Sequence, residues 1–354
     1  RPCARTTPEA PDVQAFLRHS LERSVRTAAM EVTSIGIALK RPRGLTFAAA
    51  AFTNLSQDHL DFHGDMDSYR DEKFRLFLEY ETRAAVMNTD DPAGRLLVQR
   101  LRAACRGNAL TTFGLEAPAA LTATHLNTQA GVTTGRLRYG DADYPFRFAL
   151  PGRFNLANLL GALGLLLAGG ETLEALAPAI ARCTGPAGRF EAVPLPLPFT
   201  VIVDYSHKPA ALEQVLQAAR SLTGGRLYVL FGCGGERDRD KRPLMGALAE
   251  QLADQVVLSS DNPRGEDPEA ILAEIAAGMR GTTPMRRIAD RREAIHWVLA
   301  QARPGDLVLI AGKGDETYQE IQGRHRPFDD RDVVRDWARL HGQGAQPASR
   351  RRTK

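Results

Sequence analysis

The sequence lacks the features of disulfide-rich and membrane-spanning proteins. Its four cysteines, spread over 354 residues, form no C-x-x-C pair, which fits a reducing cytoplasm better than a disulfide framework. The longest apolar run, 159–168, contains glycines and is too short to cross a bilayer, and no signal peptide is visible. We therefore expect a cytoplasmic protein without membrane insertion.

A basic excess is also missing from most of the chain. The net charge is +4, yet four basic residues stand among the last five positions. Without them, 42 basic residues (46 − 4) balance 42 acidic ones. We therefore expect a disordered basic tail at 342–354 and no nucleic-acid partner. A hydrophobic content of 43% and a length of 354 residues indicate a globular protein of about two domains.

In the second half, short β-branched runs alternate with helix-length amphipathic segments. The predicted strands are Thr200–Asp204, Leu227–Phe231, Val256–Ser259, Arg286–Ile288 and Leu307–Ala311. The predicted helices are Ala210–Arg220, Pro243–Leu252, Pro268–Met279 and Arg292–Ala302. Such alternation predicts a mostly parallel sheet with right-handed crossovers.

The first half predicts a mixed α/β arrangement. Ala28–Val32, Phe47–Phe52 and Ala84–Asn88 have the composition of buried strands. Residues 121–150 alternate with turns, as in antiparallel hairpins, and a helix is predicted over Asn155–Ala168. The Pro/Gly-rich stretch that begins at 185 is the expected domain boundary.

Polar clusters follow four predicted strands of the second half. They are Asp204-Tyr205-Ser206-His207, Gly232 to Asp238, Asp261-Asn262-Pro263-Arg264 and Gly312-Lys313-Gly314-Asp315-Glu316. Any one of them could be an ordinary loop. Because ligands of open α/β sheets bind at the carboxyl ends of the strands, four clusters on one edge predict a functional site.

A second candidate site lies in the first half. Glu31 closes a predicted buried strand, and Thr53 to Gly64, which includes Asp58 and His59, follows the next one. A carboxylate and imidazoles at strand ends suit a divalent cation that bridges phosphate oxygens. Alternatively, Asp58 caps a helix and His59 merely packs. From its position on a following helix, Lys73 alone would be assigned to the solvated surface.

Six segments together resemble the Mur ligase family. They are Thr53 to Gly64, Gly152 to Asn158, Gly188-Arg189-Phe190-Glu191, Val203 to Pro209, Phe231 to Gly246 and Asp261 to Arg264. The resemblance extends to about Leu340 and is strongest to the members that add meso-diaminopimelate. It implies a central domain at 1–187, with a mixed sheet, helices and a small antiparallel sheet. A Rossmann-like C-terminal domain would follow at 188–341.

The resemblance also implies an activity. Family members use ATP and Mg²⁺ to convert a peptide carboxylate into an acyl phosphate, and an amine then displaces the phosphate. Here the acceptor would be UDP-N-acetylmuramoyl-L-alanyl-D-glutamate, in peptidoglycan precursor synthesis. All expected partners are small molecules, and we expect a monomer.

By similarity, specific residues receive roles. Lys73 matches the family lysine that is carbamylated, and this match replaces its assignment to the solvated surface. His207 matches a catalytic-site residue. Mg²⁺ would be held by Glu31, His59 and carbamylated Lys73. ATP would contact Asn155, Asn158, Arg189 and Asp204. The UDP-muramoyl peptide would contact Thr6, Thr7, Thr33 and Arg41. The diaminopimelate pocket would comprise Arg237, Asp261, Asn262, Pro263, Arg264, Gly312 and Glu316.

The sequence departs from the family pattern in three ways. No G-x-x-x-x-G-K-[ST] phosphate loop is present, and because the chain begins with Arg1 we expect it to start inside a longer gene product. Ile35 and Leu39 replace a histidine and a glutamine, which puts some peptide contacts in doubt. Asp315 stands in place of a histidine beside Glu316.

Three other functions remain open. A lysine-adding relative is disfavoured by Arg264, and a folylpolyglutamate synthase relative by the Asp261-Asn262-Pro263-Arg264 motif. A nonenzymatic binding protein that has lost its phosphate loop is the third alternative. A phosphate loop encoded just upstream would exclude it.

Overall fold

A computed structural model describes residues 5–105, 107–129 and 131–341. The chain divides into two compact units. The first comprises the described residues of 1–128, 133–148 and 155–182, and the second comprises the described residues of 129–132, 149–154 and 183–354. The basic tail expected at 342–354 lies outside the described residues. None of the helices in the described part of the chain combines the length and apolar character needed to cross a membrane.

The first unit contains seven helices and eight strands within the described residues. The helices are α1 Ala10–Glu22, α2 Ser34–Ala38, α3 Leu60–His63, α4 Met66–Leu78, α5 Pro92–Ala103, α6 Arg153–Ala168 and α7 Leu173–Ile180. The strands are β1 Thr46–Phe47, β2 Ala50–Phe52, β3 Glu81–Thr82, β4 Ala84–Asn88, β5 Ala109–Gly114, β6 Leu121–Gln129, β7 Val132–Tyr139 and β8 Ala142–Phe148.

The main sheet of the first unit has the order β2-β4-β5-β6-β7-β8. Strands β2, β4, β5 and β6 pair in parallel, and β7 pairs antiparallel with β8. The hairpin predicted within 121–150 is therefore confirmed, and its strands continue the main sheet. Phe52 packs against Phe74 and Phe77 of α4, so this helix covers the sheet at its β2 end.

Two strand predictions in the first unit are wrong. Ala28–Val32 lies in an irregular segment, and the Glu31 side chain at its end is exposed. Phe47–Phe52 is not one strand: β1 pairs with β3 in a separate two-stranded sheet, whereas β2 pairs with β4. Composition indicates a tendency to form a strand, but a strand also needs a neighbour for its backbone N–H and C=O groups.

The second unit contains five helices and eight strands within the described residues. The strands are β9 Glu191–Ala192, β10 Thr200–Asp204, β11 Leu227–Phe231, β12 Gln255–Leu258, β13 Met285–Arg287, β14 Leu307–Ala311, β15 Tyr318–Ile321 and β16 Arg324–Pro327. The helices are α8 Pro209–Ser221, α9 Lys241–Leu252, α10 Pro268–Ala276, α11 Arg291–Gln301 and α12 Asp330–His341.

The sheet of the second unit has the order β13-β12-β11-β14-β10-β9. Its strands β10 to β14 are all parallel, and β9 joins β10 antiparallel. Alternate strand residues point to opposite faces, so Val229 and Phe231 pack with α8, α9 and α10, whereas Tyr228 and Leu230 pack with α11 and α12. The predicted parallel α/β sheet is confirmed, with both faces covered.

Candidate active site

The polar clusters of the second unit lie on one edge of its sheet, as the sequence predicts. Asp204 is the last residue of β10 and pairs in register with Ala311, the last residue of β14. Gly232 follows β11, and Asp261 stands three residues beyond the end of β12. These four strands are parallel neighbours in the sheet. The four loops that follow them therefore all lie at the same edge.

Asp261 is a buried carboxyl group at this edge. Burial raises its pKa, and the positive charges of Arg291 and Lys313 oppose that rise. Gly312 lies beside it with φ +114°, and a Cβ built at this glycine would stand 2.5 Å from Asp261 Oδ2. The Asp261 carboxyl group therefore packs against the Gly312 backbone, where any larger residue would have to push it aside.

Three polar side chains form a network next to Asp261. The fully buried Lys313 ammonium donates to Asn262 Oδ1 over 3.1 Å and to Glu316 Oε2 over 2.9 Å. Asn262 Nδ2 donates to the same Glu316 oxygen over 2.8 Å. Glu316 and Asn262 are therefore fixed by a lysine that was not among the predicted site residues, although its position inside the Gly312–Glu316 motif signalled it.

Arg264 stands on the same loop in left-handed conformation, with φ +51°. Its Nη1 donates to the Gly235 carbonyl over 2.7 Å, and its Nε lies 3.1 Å from Glu320 Oε2. Arg237, from the loop after β11, is exposed and contacts the Glu236 carbonyl over 3.4 Å. Arg264 is thus linked to Asn262 through Glu320, whose N–H donates to Asn262 Oδ1 over 2.9 Å, whereas Arg237 is exposed to solvent.

A second group surrounds the end of β10. Both Asp204 oxygens accept backbone N–H groups, from Phe190 and from Ser206, each over 2.7 Å. The Arg189 guanidinium lies 4.3 Å from the centre of the Tyr205 ring. Burial raises the pKa of Tyr205, since the ionised phenol would be poorly solvated.

His207 belongs to this group as well. Its ring packs edge-on against Tyr205, and its Nδ1 lies 2.9 Å from the Tyr205 carbonyl. The Lys241 ammonium donates to the His207 carbonyl over 2.8 Å. The predicted residues Arg189, Asp204 and His207 therefore surround one segment, together with Tyr205, which the sequence placed in the same polar cluster without giving it a role.

Asn155 and Asn158 lie in the first unit, in the N-terminal half of α6. Asn155 is half-buried and Asn158 is exposed. Because they are three residues apart in a helix, they share one helix face. They can therefore act as a pair toward one ligand.

The residues expected to contact a peptide form a hydrogen-bonded group in the first unit. Thr7 Oγ1 donates to the Glu31 carbonyl over 3.0 Å and accepts the Thr33 amide over 2.9 Å. Arg41 donates to the Thr7 carbonyl and lies 3.1 Å from a Glu9 oxygen. Its Nε is buried and makes no hydrogen bond within the part of the chain that the structure describes. Thr6 is exposed next to this group.

Two of the three expected metal residues, His59 and Lys73, lie beside Tyr69 of α4. His59 Nε2 lies 3.0 Å from Asp58 Oδ2, and the His59 ring packs edge-on against Tyr69. The Lys73 ammonium lies 5.2 Å from the centre of the same ring. Burial, followed by the Asp58 charge, raises the pKa of Tyr69 to about 12.

This donor set fits a divalent cation only with one further oxygen ligand. Within 5–105, 107–129 and 131–341, no three His, Cys, Asp or Glu side chains are grouped as metal ligands. Glu31 is exposed on its irregular segment instead of closing a strand. An unmodified lysine is a cation, but a carbamate on Lys73 would supply the missing anionic oxygens.

A buried ion pair lies behind the second-unit site and was not predicted. Arg291 and Asp330 are both fully buried and make two contacts of 2.8 Å. The same guanidinium donates to the Ala311 carbonyl over 3.0 Å and to the Ser260 carbonyl over 3.3 Å. These carbonyls directly precede Asp261 and Gly312, so Arg291 holds the end of β14 and the segment after β12, which carry these site residues.

Comparisons with known proteins identify the family of this chain. A model of the Mur ligase middle domain matches residues 2–166, and a model of the Mur ligase, glutamate ligase domain, matches residues 188–314. A curated relative from Syntrophomonas wolfei is 42% identical over 344 residues, which cover 96% of this chain and 69% of the relative. The chain belongs to the Mur ligase family.

Two curated relatives and one solved structure share a name. The Syntrophomonas wolfei relative and one from Chromobacterium violaceum, 44% identical over 92% of this chain and 66% of its own length, are both UDP-N-acetylmuramoyl-L-alanyl-D-glutamate--2,6-diaminopimelate ligases. A solved structure of a ligase with that name superposes with a TM-score of 0.66 at 36% identity, covering 96% of this chain and 69% of the other. The chain spans about two thirds of the length of these relatives.

Proposed function

We propose that this chain is part of a ligase that uses ATP to join meso-diaminopimelate to UDP-N-acetylmuramoyl-L-alanyl-D-glutamate. This reaction forms a peptidoglycan precursor. The names of the relatives support the proposal. The observation that carries it is the cluster of Asn262, Arg264 and Glu316 at the carboxyl edge of the second-unit sheet.

The charges of this cluster suit an amino acid with an ammonium and a carboxylate at its distal end. Arg264 keeps donors beyond those used by Gly235 and Glu320, and a guanidinium can bind a carboxylate through two parallel hydrogen bonds. Glu316 provides the acceptor for the adjacent ammonium. Lysine has the distal ammonium but no distal carboxylate, so Arg264 would face no anion.

The other predicted residues receive roles within the same proposal. Asn155, Asn158, Arg189 and Asp204 bind ATP, and Thr6, Thr7, Thr33 and Arg41 bind the UDP-muramoyl peptide. Arg237, Asp261, Pro263 and Gly312 complete the diaminopimelate pocket, and His207 acts at the reacting end. We place the boundary between a central and a C-terminal domain at 187/188, with the latter ending at 341. The reaction belongs in the cytoplasm, where ATP is available, and a monomer suffices for it.

Glu31, His59 and carbamylated Lys73 would hold magnesium. The bound ion supplies positive charge that offsets the phosphate oxygens during transfer. Asp58, paired with His59, fixes the orientation of that imidazole. Carbamylation turns the Lys73 ammonium into an anion, so the residue changes from repelling the cation to binding it.

The test is a ligation assay of the natural protein that contains this chain. We expect ATP, magnesium and the UDP-muramoyl dipeptide to give product with meso-diaminopimelate, detected by mass spectrometry, and an equal amount of released phosphate. Lys73→Ala should lose most turnover, whereas Lys40→Ala serves as the matched control. The 354-residue chain alone should give no product, since its sequence has no phosphate loop.

Two results would contradict the proposal. One is a natural protein that makes no product with meso-diaminopimelate or that uses lysine more efficiently. The other is ligation by Lys73→Ala at the rate of the Lys40→Ala control, which would exclude the carbamate at this position.

A further inference from the structure

Arg264 is held from several directions before any substrate is present. Its backbone N–H donates to the Glu320 carbonyl over 3.0 Å, and its carbonyl accepts the Gln322 N–H over 2.7 Å. The side chain is held too, by the Gly235 carbonyl at Nη1 and the Glu320 carboxylate at Nε. The loop that carries Arg264 is thus attached to β15 through both its backbone and its guanidinium.

Glu320 is itself tied to the same pocket. Its backbone N–H donates to Asn262 Oδ1 over 2.9 Å, an oxygen that also accepts from the buried Lys313 ammonium. Its side chain is about one-quarter exposed, and the Arg264 side chain slightly less. Glu320 therefore stands at the open side of the pocket, with its carboxylate directed to Arg264.

We propose that Glu320 is a positioning residue that orients the Arg264 guanidinium for the distal carboxylate of the amino-acid substrate. The inference rests on the function proposed above. The Glu320 carboxylate lies 3.1 Å from Nε, and the Gly235 carbonyl accepts from Nη1. Within the described residues Nη2 makes no hydrogen bond, so the guanidinium keeps N–H donors for a carboxylate.

A fixed guanidinium binds better than a mobile one, because the ordering cost has been met before the substrate arrives. An arginine side chain without Glu320 would rotate about its long stem and spend less time in the productive orientation. The Glu320 carboxylate also balances the positive charge of the half-buried Arg264 guanidinium when the pocket is empty. Glu320 acts through Arg264, and its effect should vanish when Arg264 is removed.

The experiment compares steady-state kinetics of the natural protein carrying Glu320→Ala, Glu320→Gln or Arg264→Ala, and the double variant. We expect Glu320→Ala to raise the KM for meso-diaminopimelate about tenfold, the effect of losing one close contact between charged groups, while kcat stays within about twofold. Glu320→Gln keeps an oxygen acceptor for Nε and should restore most of the loss. Arg324→Ala, on the neighbouring strand β16, is the matched surface control.

The double variant provides the sharpest criterion. In the Arg264→Ala background, Glu320→Ala should change the KM by less than about twofold, since the two residues act as one unit. A further tenfold loss there, or an unchanged KM in the single Glu320→Ala variant, would overturn the positioning role while the ligase function stands. A wild-type protein that makes no product with meso-diaminopimelate would instead overturn the proposed function.

Discussion

The two units of this chain differ in how far their short apolar runs form strands. In the second unit, Thr200–Asp204, Leu227–Phe231 and Leu307–Ala311 are strands of a parallel sheet that is covered on both faces. In the first unit, Ala28–Val32 has a strand-like composition but lies in an irregular segment. The difference teaches that composition predicts a strand reliably only where the fold also supplies its neighbour.

The largest expected effect concerns amide hydrogen exchange. Amides of Val229, Leu230 and Phe231 in the centre of the second-unit sheet should exchange at least about ten-thousandfold more slowly than free peptide, since they open only with the unit. Amides of Ala28–Val32 should exchange within about tenfold of free peptide. Mass spectrometry of deuterated chain after pepsin digestion measures both, and strong protection of 28–32 would remove the difference between the units.

The next effect concerns the ion pair behind the second-unit site. Arg291→Ala leaves the fully buried Asp330 without its cation and should lower the free energy of unfolding by about 3–5 kcal/mol. Both tryptophans of the chain, Trp297 and Trp337, lie in the second unit, so their fluorescence during urea unfolding reports this unit. The variant should also weaken the proposed amino-acid site, because Arg291 binds the Ser260 and Ala311 carbonyls.

A matched control exists on the same helix as Asp330. Arg335 forms an exposed ion pair with Asp332 on α12, and Arg335→Ala should change the free energy of unfolding by less than about 1 kcal/mol. Equal effects of Arg291→Ala and Arg335→Ala would show that the buried pair does not hold the second unit together.

A smaller effect concerns pH. A hydrogen bond from Arg242, together with the Glu236 amide, lowers the pKa of Glu266 from 4.5 to about 2. A carboxyl group with a lowered pKa adds stability that is complete above pH 4.5 and is lost as the pH falls toward 2. Wild type should therefore lose about 1 kcal/mol more than Glu266→Gln between these limits, by urea unfolding followed by tryptophan fluorescence. Parallel pH profiles would contradict the assignment.

Much of the second unit could be predicted from the sequence. The predicted bounds of Thr200–Asp204, Leu227–Phe231 and Leu307–Ala311 agree with the structure residue for residue, because each is a short apolar run ended by polar or glycine residues. In the first unit, Ala84–Asn88 is equally well predicted for the same reason. Ala28–Val32 fails because its pattern does not reveal which strand, if any, lies beside it.

The positions of several residues of the candidate site could also be predicted from the sequence. Motif positions at strand ends place Asp204, Asp261 and Gly312 on one edge, since topology alone determines this. The partners that hold the site could not be predicted, because Glu320 contacts Arg264, and Arg291 contacts the Ala311 carbonyl, from elements distant in sequence. Such contacts depend on side-chain direction and on the packing of whole helices and hairpins.

The central claim is that Arg264 selects an amino acid with a distal carboxylate. The most direct measurement is kcat/KM of the natural protein and of its Arg264→Ala variant, each with meso-diaminopimelate and with lysine. We predict that the variant loses some hundreds- to about a thousandfold with meso-diaminopimelate and less than about threefold with lysine, since only the former places an anion against the guanidinium. Equal losses with both amino acids, or a wild type that prefers lysine, would contradict the account.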